Sequence, residues 1–225
     1  MQEDRTAHGV DLLNKLLHRH DPADHGDRSI IVVSGLPRSG TSMMMKMLAE
    51  GGLATVTDSL RTADEDNPNG YFEFEPVKAL ADGTDAWLSD AQGKAVKVVS
   101  ALLEHLPAGQ HYRILFMERD LKEILASQQK MLSRRQEQSR TSDAEMEAQF
   151  REHLRAIKYW LARQPNMEVL YVDYNRMMAA PDTFCPQIAD FVRLPLDVAR
   201  MRSVPNQGLY RNRAVEAPGG GRPQP

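Results

Sequence analysis

Cysteine is all but missing from this chain, where Cys185 stands alone. A single thiol can neither close an internal disulfide nor build a cysteine zinc cluster, so the expected setting is reducing and cytoplasmic. Long apolar runs are missing too. None approaches the roughly 20 residues that cross a bilayer, and no membrane span is expected. The first residues are polar and include Arg5, which does not read as a secretory leader. Neither sign of charge dominates: 28 Lys and Arg stand against 31 Asp and Glu, a net of −3. That balance gives no general reason to expect nucleic acid as a partner. Aromatics are only 6 % of the chain while methionine occurs 12 times, so the core is expected to be aliphatic and methionine-rich. With 225 residues, 41 % of them apolar, the chain is long enough for one α/β domain with a substantial core.

What is present alternates between strand and helix patterns. Val10, Leu13, Leu16 and Leu17 recur at helical spacing, which predicts a short helix over residues 9–20. Residues 29–34 are apolar on both faces, as in a central strand of a parallel sheet, and a helix is expected to follow as far as Glu50, stopped by Gly51 and Gly52. Further strands are expected at 53–57, 95–99, 112–117 and 168–172, and a helix from Pro76 to Leu88. Asp120 with Glu123, and Ser142 with Glu145, have the spacing of helix-opening capping boxes. Helices are expected at 174–180 and 182–193, the second interrupted by Pro186. Strands alternating with helices predict an α/β fold around a parallel sheet, divided into an N-terminal helix and loop over 1–27, the α/β domain over 28–213 and a disordered Gly/Pro-rich tail over 214–225.

The most informative stretch is Ser34-Gly35-Leu36-Pro37-Arg38-Ser39-Gly40-Thr41-Ser42. It lies between the first strand and the first helix, where free backbone N–H groups and the positive end of a helix dipole meet. Its glycines are spaced as in a P-loop, yet Thr41 and Ser42 stand where a nucleotide triphosphatase carries Lys followed by Ser or Thr. The cation lies inside the loop instead, at Arg38. A plain βα turn would need the glycines but not the arginine and three hydroxyls around the helix start. Arg119 at the end of a strand and Ser127 about two turns along the next helix form a second polar pair. Both sites fall at the carboxyl ends of strands, where ligands bind in open α/β sheets.

Taken together, these residues resemble the sulfotransferases. Pro37-Arg38-Ser39-Gly40-Thr41-Ser42 is similar to that family's phosphosulfate loop. Arg119 through Ser127 is similar to its second motif, in which an arginine and a serine bind a nucleotide 3′-phosphate. Residues 66–73 and Leu209-Tyr210-Arg211-Asn212-Arg213 look like a bacterial branch of the family. The resemblance implies a three-layer P-loop NTPase-like fold with about five parallel strands and the cofactor 3′-phosphoadenosine 5′-phosphosulfate (PAPS). It also implies a small-molecule or glycan acceptor and no metal. Pro37, Arg38, Ser39, Gly40, Thr41, Ser42, Arg119, Ser127 and Arg211 would bind the nucleotide, with Arg38 also catalytic. The family's C-terminal Gly-x-x-Gly-x-x-Lys segment is reduced here to Gly208 and the arginines Arg211 and Arg213.

A base must take the acceptor's proton. Cytosolic members of the family use a histidine after a strand, and Lys97-Val98-Val99-Ser100 has none there. Glycan-modifying members use a glutamate, for which Glu73 is the preferred candidate and Glu75, Asp66 and His105 are rivals. Tyr71, Phe72 and Phe74 around Glu73 are either an acceptor wall or core. Arg134, Arg135 and Arg140 form a basic run. Two other functions stay open: a phosphotransferase using ATP and Mg²⁺, with Asp173 as a metal carboxylate, and a nucleotide-binding protein without catalysis.

Overall fold

The computed structural model of the protein describes residues 28–58, 70–134, 136, 137 and 141–205. The expected N-terminal helix, the C-terminal tail, Asp66, Arg135, Arg140 and the segment carrying Gly208, Arg211 and Arg213 lie outside the described residues.

The aliphatic run predicted as a central strand is one. Strand β1, Ile30–Gly35, is buried along its whole length, with Ile30 to Val33 at 0 % exposure. Each such side chain contributes about 1.5–3 kcal/mol on removal from water. Helix α1 (Thr41–Glu50), β2 (Thr55–Val56), β3 (Ala95–Lys97), β4 (Tyr112–Glu118), α2 (Leu121–Arg134), α3 (Asp143–Leu161) and β5 (Met167–Asp173) follow. The chain then forms α4 (Tyr174–Ala179), α5 (Pro181–Val192) and α6 (Val198–Arg202). The five strands pair in the order β2-β3-β1-β4-β5, every pair parallel.

Each face of the sheet carries its own core. On one side Ile31 and Val33 pack with the methionines of α1 and with Met177, Cys185, Ile188 and Met201 of α4 to α6. On the other, Ile30, Val32, Ile114 and Phe116 pack with Leu80, Leu88 and Leu103 of three 3₁₀ segments and with Ile157 and Leu161 of α3. The result is the expected three-layer α/β fold around a five-stranded parallel sheet. Register brings Gly35 beside Met117, Val33 beside Lys97 and Glu118 beside Asp173, so the loop after β1 and the ends of β3, β4 and β5 meet along one edge.

Three local expectations change. The helix expected from Pro76 to Leu88 is two 3₁₀ segments, Glu75–Asp82 and Ala86–Ala91, broken at Gly83. Pro186 does not interrupt α5: it lies within the continuous helix Pro181–Val192, where it has no N–H to offer the Asp182 carbonyl. The capping box is complete at Ser142, whose Oγ accepts from the Glu145 N–H at 3.3 Å while Glu145 accepts the Ser142 N–H at 3.0 Å. At α2 it is half made. Asp120 accepts the N–H groups of Lys122 and Glu123, but the Glu123 carboxylate turns inward to other partners.

Candidate active site

The loop between β1 and α1 is set by its backbone. Gly35 has φ 143° and Gly40 φ 103°, and Arg38 between them is also left-handed at 71°. A Cβ at Gly35 would stand 2.6 Å from Ser39 Oγ and 2.7 Å from the Met117 carbonyl, so the close approach itself requires glycine. At Gly40 a Cβ would overlap the Tyr174 ring. The Ser39 N–H closes a turn onto the Leu36 carbonyl at 3.2 Å. Helix α1 then opens at Gly40 with no side-chain cap and no acidic residue in its first turn, leaving its dipole end without a negative partner of its own. Ser39 is 1 % exposed, and its Oγ has no hydrogen-bond partner among the described residues. A buried unpaired hydroxyl costs free energy. An anion oxygen held by the loop would satisfy it.

The second motif folds directly onto this loop. Arg38 Nε donates to Ser127 Oγ at 2.9 Å across 89 residues of sequence, and Arg119 Nη1 donates to the Arg38 carbonyl at 3.1 Å. Arg119 also pairs with Glu123 at 2.9 Å and lies 4.5 Å over the Tyr174 ring. Both members of that ion pair are buried, at 8 % and 2 % exposure. The pair is tenable because Glu123 is satisfied at both oxygens, Oε1 accepting from Asn175 Nδ2 at 3.0 Å. Burial raises the Tyr174 phenol above its ordinary range, with Arg119 opposing.

On the opposite side of the loop lies the Glu73 segment. The Tyr71 carbonyl accepts from Ser42 Oγ at 3.4 Å and from Lys97 Nζ. Lys97 Nζ also stands 3.9 Å from the Glu73 carboxylate, which is 36 % exposed. The Glu73 carbonyl is held by Thr57 Oγ1 at 3.0 Å and by the Asp58 N–H at 3.1 Å. Glu73 is therefore tied through its own carbonyl to the segment after β2, beside a cation, while Tyr71 two residues earlier joins the same stretch to Ser42 at the start of α1. Glu75 points away into a pair with Lys78, both exposed, and His105 is exposed on the third 3₁₀ segment, Ser100–His105. Tyr71 is buried at 6 %, while Phe72 and Phe74 are half-buried, Phe72 packed against the core on the α1 side of the sheet and Phe74 edge-on to Trp87 at 5.3 Å against the core on the other. Pro37 is exposed and Thr41 half-buried at the loop rim. Asp173 Oδ1 accepts the Arg176 N–H as the cap of α4. Among the described residues no group of three His, Cys, Asp or Glu is placed to hold a metal.

Sequence reasoning passed over Lys97, Glu123 and Tyr174. Lys97 carried a signal, since a lysine ending an apolar strand needs a partner at the sheet edge. Glu123 carried one as well: it shares a helix face with Ser127 at four-residue spacing, four residues after Arg119 at the strand end. A histidine does reach the end of β3, but from α3, where His153 Nε2 lies 2.8 Å from the buried Ser100 Oγ.

Solved structures similar to this chain include two sulfotransferase domains. One is a sulfotransferase domain from the curacin biosynthetic pathway, 16 % identical with a TM-score of 0.48, over 77 % of this chain and 76 % of that one. The other is a sulfotransferase domain from the Synechococcus PCC 7002 olefin synthase, 13 % identical with a TM-score of 0.49, over 87 % and 86 %. No protein-family model and no curated protein matches the chain.

Proposed function

We propose that the protein is a sulfotransferase that uses PAPS to modify a hydroxyl or amine of a small molecule or glycan. The observation that supports this reading is the convergence of the two polar motifs, Arg38 on Ser127 and Arg119 on the Arg38 carbonyl, around a loop whose buried Ser39 hydroxyl has no partner. The donor set suits two separated anions rather than one triphosphate. The loop N–H groups, Ser39, Thr41, Ser42 and Arg38 would hold the phosphosulfate, with Pro37 and Gly40 shaping the loop. Arg119 and Ser127 would hold the 3′-phosphate, joined by Arg211.

The bound nucleotide would supply the sulfuryl group. Glu73 takes the proton as the acceptor's O–H or N–H bond breaks and its heteroatom bonds to sulfur. Arg38 and the loop N–H groups stabilise the negative charge left on the phosphate oxygen when the old sulfur–oxygen bond breaks. Lys97 orients Glu73 from 3.9 Å. No metal is required by these steps, and the protein works in the cytoplasm.

The test is a transfer assay with sulfur-labelled PAPS and a panel of phenols, alcohols, amines and glycans. Label on an acceptor, with one bisphosphate released per transfer, is the expected result. Binding of the nucleotide without turnover on any acceptor would favour a non-catalytic nucleotide-binding protein. Magnesium-dependent phosphoryl transfer from ATP would overturn the reading.

A further inference from the structure

Two arms hold the loop from behind, and both start at one side chain. Glu123 Oε2 accepts from Arg119, whose other nitrogen donates to the carbonyl of Arg38, the left-handed residue of the loop. Glu123 Oε1 accepts from Asn175, the neighbour of Tyr174, whose ring packs so closely on Gly40 that a Cβ there would overlap it. The Arg119 guanidinium lies 4.5 Å over that same ring and so joins the arms to each other. Glu123 itself is 2 % exposed and sits on α2 between Arg119 and Ser127.

We propose that Glu123 is a positioning residue: its two carboxylate oxygens fix the Arg38 and Gly40 ends of the loop through Arg119 and through Asn175 with Tyr174. This rests on the reading of the loop as an anion site. The physical reason is charge and donor count. Arg119 can only donate and Asn175 donates through Nδ2, so the ionised carboxylate accepts from both while balancing the guanidinium charge. A neutral amide of the same size no longer balances that charge, and to keep its oxygen on Arg119 it must turn its NH₂ toward Asn175, whose own amide then has to turn over; both arms are weakened or rearranged. The loop then reaches its left-handed conformation without support, and an anion that binds must order it.

The experiment compares Glu123→Gln and Glu123→Asp with the wild type in the full chain. Calorimetry with 3′-phosphoadenosine 5′-phosphate gives affinity. Backbone amide NMR without ligand reads Arg38, Ser39 and Gly40 directly. The expected result for E123Q is an affinity loss of about tenfold or more and shifted loop signals at an unchanged overall fold. E123D, which keeps the charge, should recover part of both. A merely structural role would lower the melting temperature and leave the loop signals of the folded protein in place. E123Q with wild-type affinity and unmoved loop signals overturns the proposal. If E123Q does not fold, Asn175→Ala cuts one arm without stranding a charge: it should shift the Gly40 signal and weaken binding several-fold, and an unmoved signal overturns the proposal. If the wild type does not bind the bisphosphate, the sulfotransferase reading fails by itself, and the ligand-free loop signals still decide the role of Glu123.

Discussion

The two sides of the candidate site are held by different physics. On the donor side, the Gly35–Thr41 loop is locked by close backbone approaches and by a buried ion pair, Arg119 with Glu123, satisfied at both carboxylate oxygens. On the acceptor side, Glu73 sits in a segment without regular structure, held by its own carbonyl and a cation at 3.9 Å, followed by 3₁₀ segments. Main-chain geometry and burial hold the first side. In the proposed reading, the second side, more exposed and built from short-range turns, is where acceptor preference can vary without cost to the sheet.

That contrast can be broken by substitution. Glu73→Gln should lower turnover by about 10²–10⁴-fold while bisphosphate affinity is unchanged, measured by steady-state kinetics beside calorimetry. Wild-type turnover in that variant would move the base to another group. Arg38→Ala should lower transfer by about 10²–10³-fold and weaken nucleotide binding as well, because it also removes the contact to Ser127. An effect on turnover alone would detach Arg38 from the binding role.

How far each side was legible follows from the same contrast. The β1–loop–α1 unit could be read because four consecutive aliphatics, two glycines and a run of hydroxyls each have a local cause, and the structure keeps all of them. Ser142 with Glu145 was legible for the same reason. Glu123 was read as a local cap because its spacing from Asp120 fits one, but tertiary partners outbid the cap: Asn175 comes from 52 residues away. The 3₁₀ segments were read as one α-helix because their apolar positions suit either pitch, and only packing against the sheet and Gly83 decides. Lys97 carried a signal as a lysine ending an apolar strand, but its partner could not be read until the structure set Glu73 beside it. The aromatics around Glu73 could be wall or core, and burial assigns Tyr71 to the core while Phe72 and Phe74 stay half-buried at its margin.

Smaller effects sharpen the comparison. Gly35→Ala should destabilise the fold by about 3 kcal/mol or more, since the new methyl meets a backbone carbonyl that cannot move out of its strand. Chemical denaturation would read this, and a change under 1 kcal/mol would contradict the close approach. Ser142→Ala should cost about 1 kcal/mol through the lost cap of α3 and leave bisphosphate affinity unaltered. Loss of affinity there would mean that the acceptor-side layer, on which α3 packs, is coupled to the loop.

The most direct test of the central claim is calorimetry of 3′-phosphoadenosine 5′-phosphate with the wild-type protein in the presence of a magnesium chelator, repeated with Arg38→Ala and with ATP plus magnesium as competitor. The account expects saturable, magnesium-independent binding at one site, abolished or strongly weakened in Arg38→Ala and not displaced by Mg-ATP at comparable concentration. Absence of binding, or displacement by Mg-ATP, would contradict it.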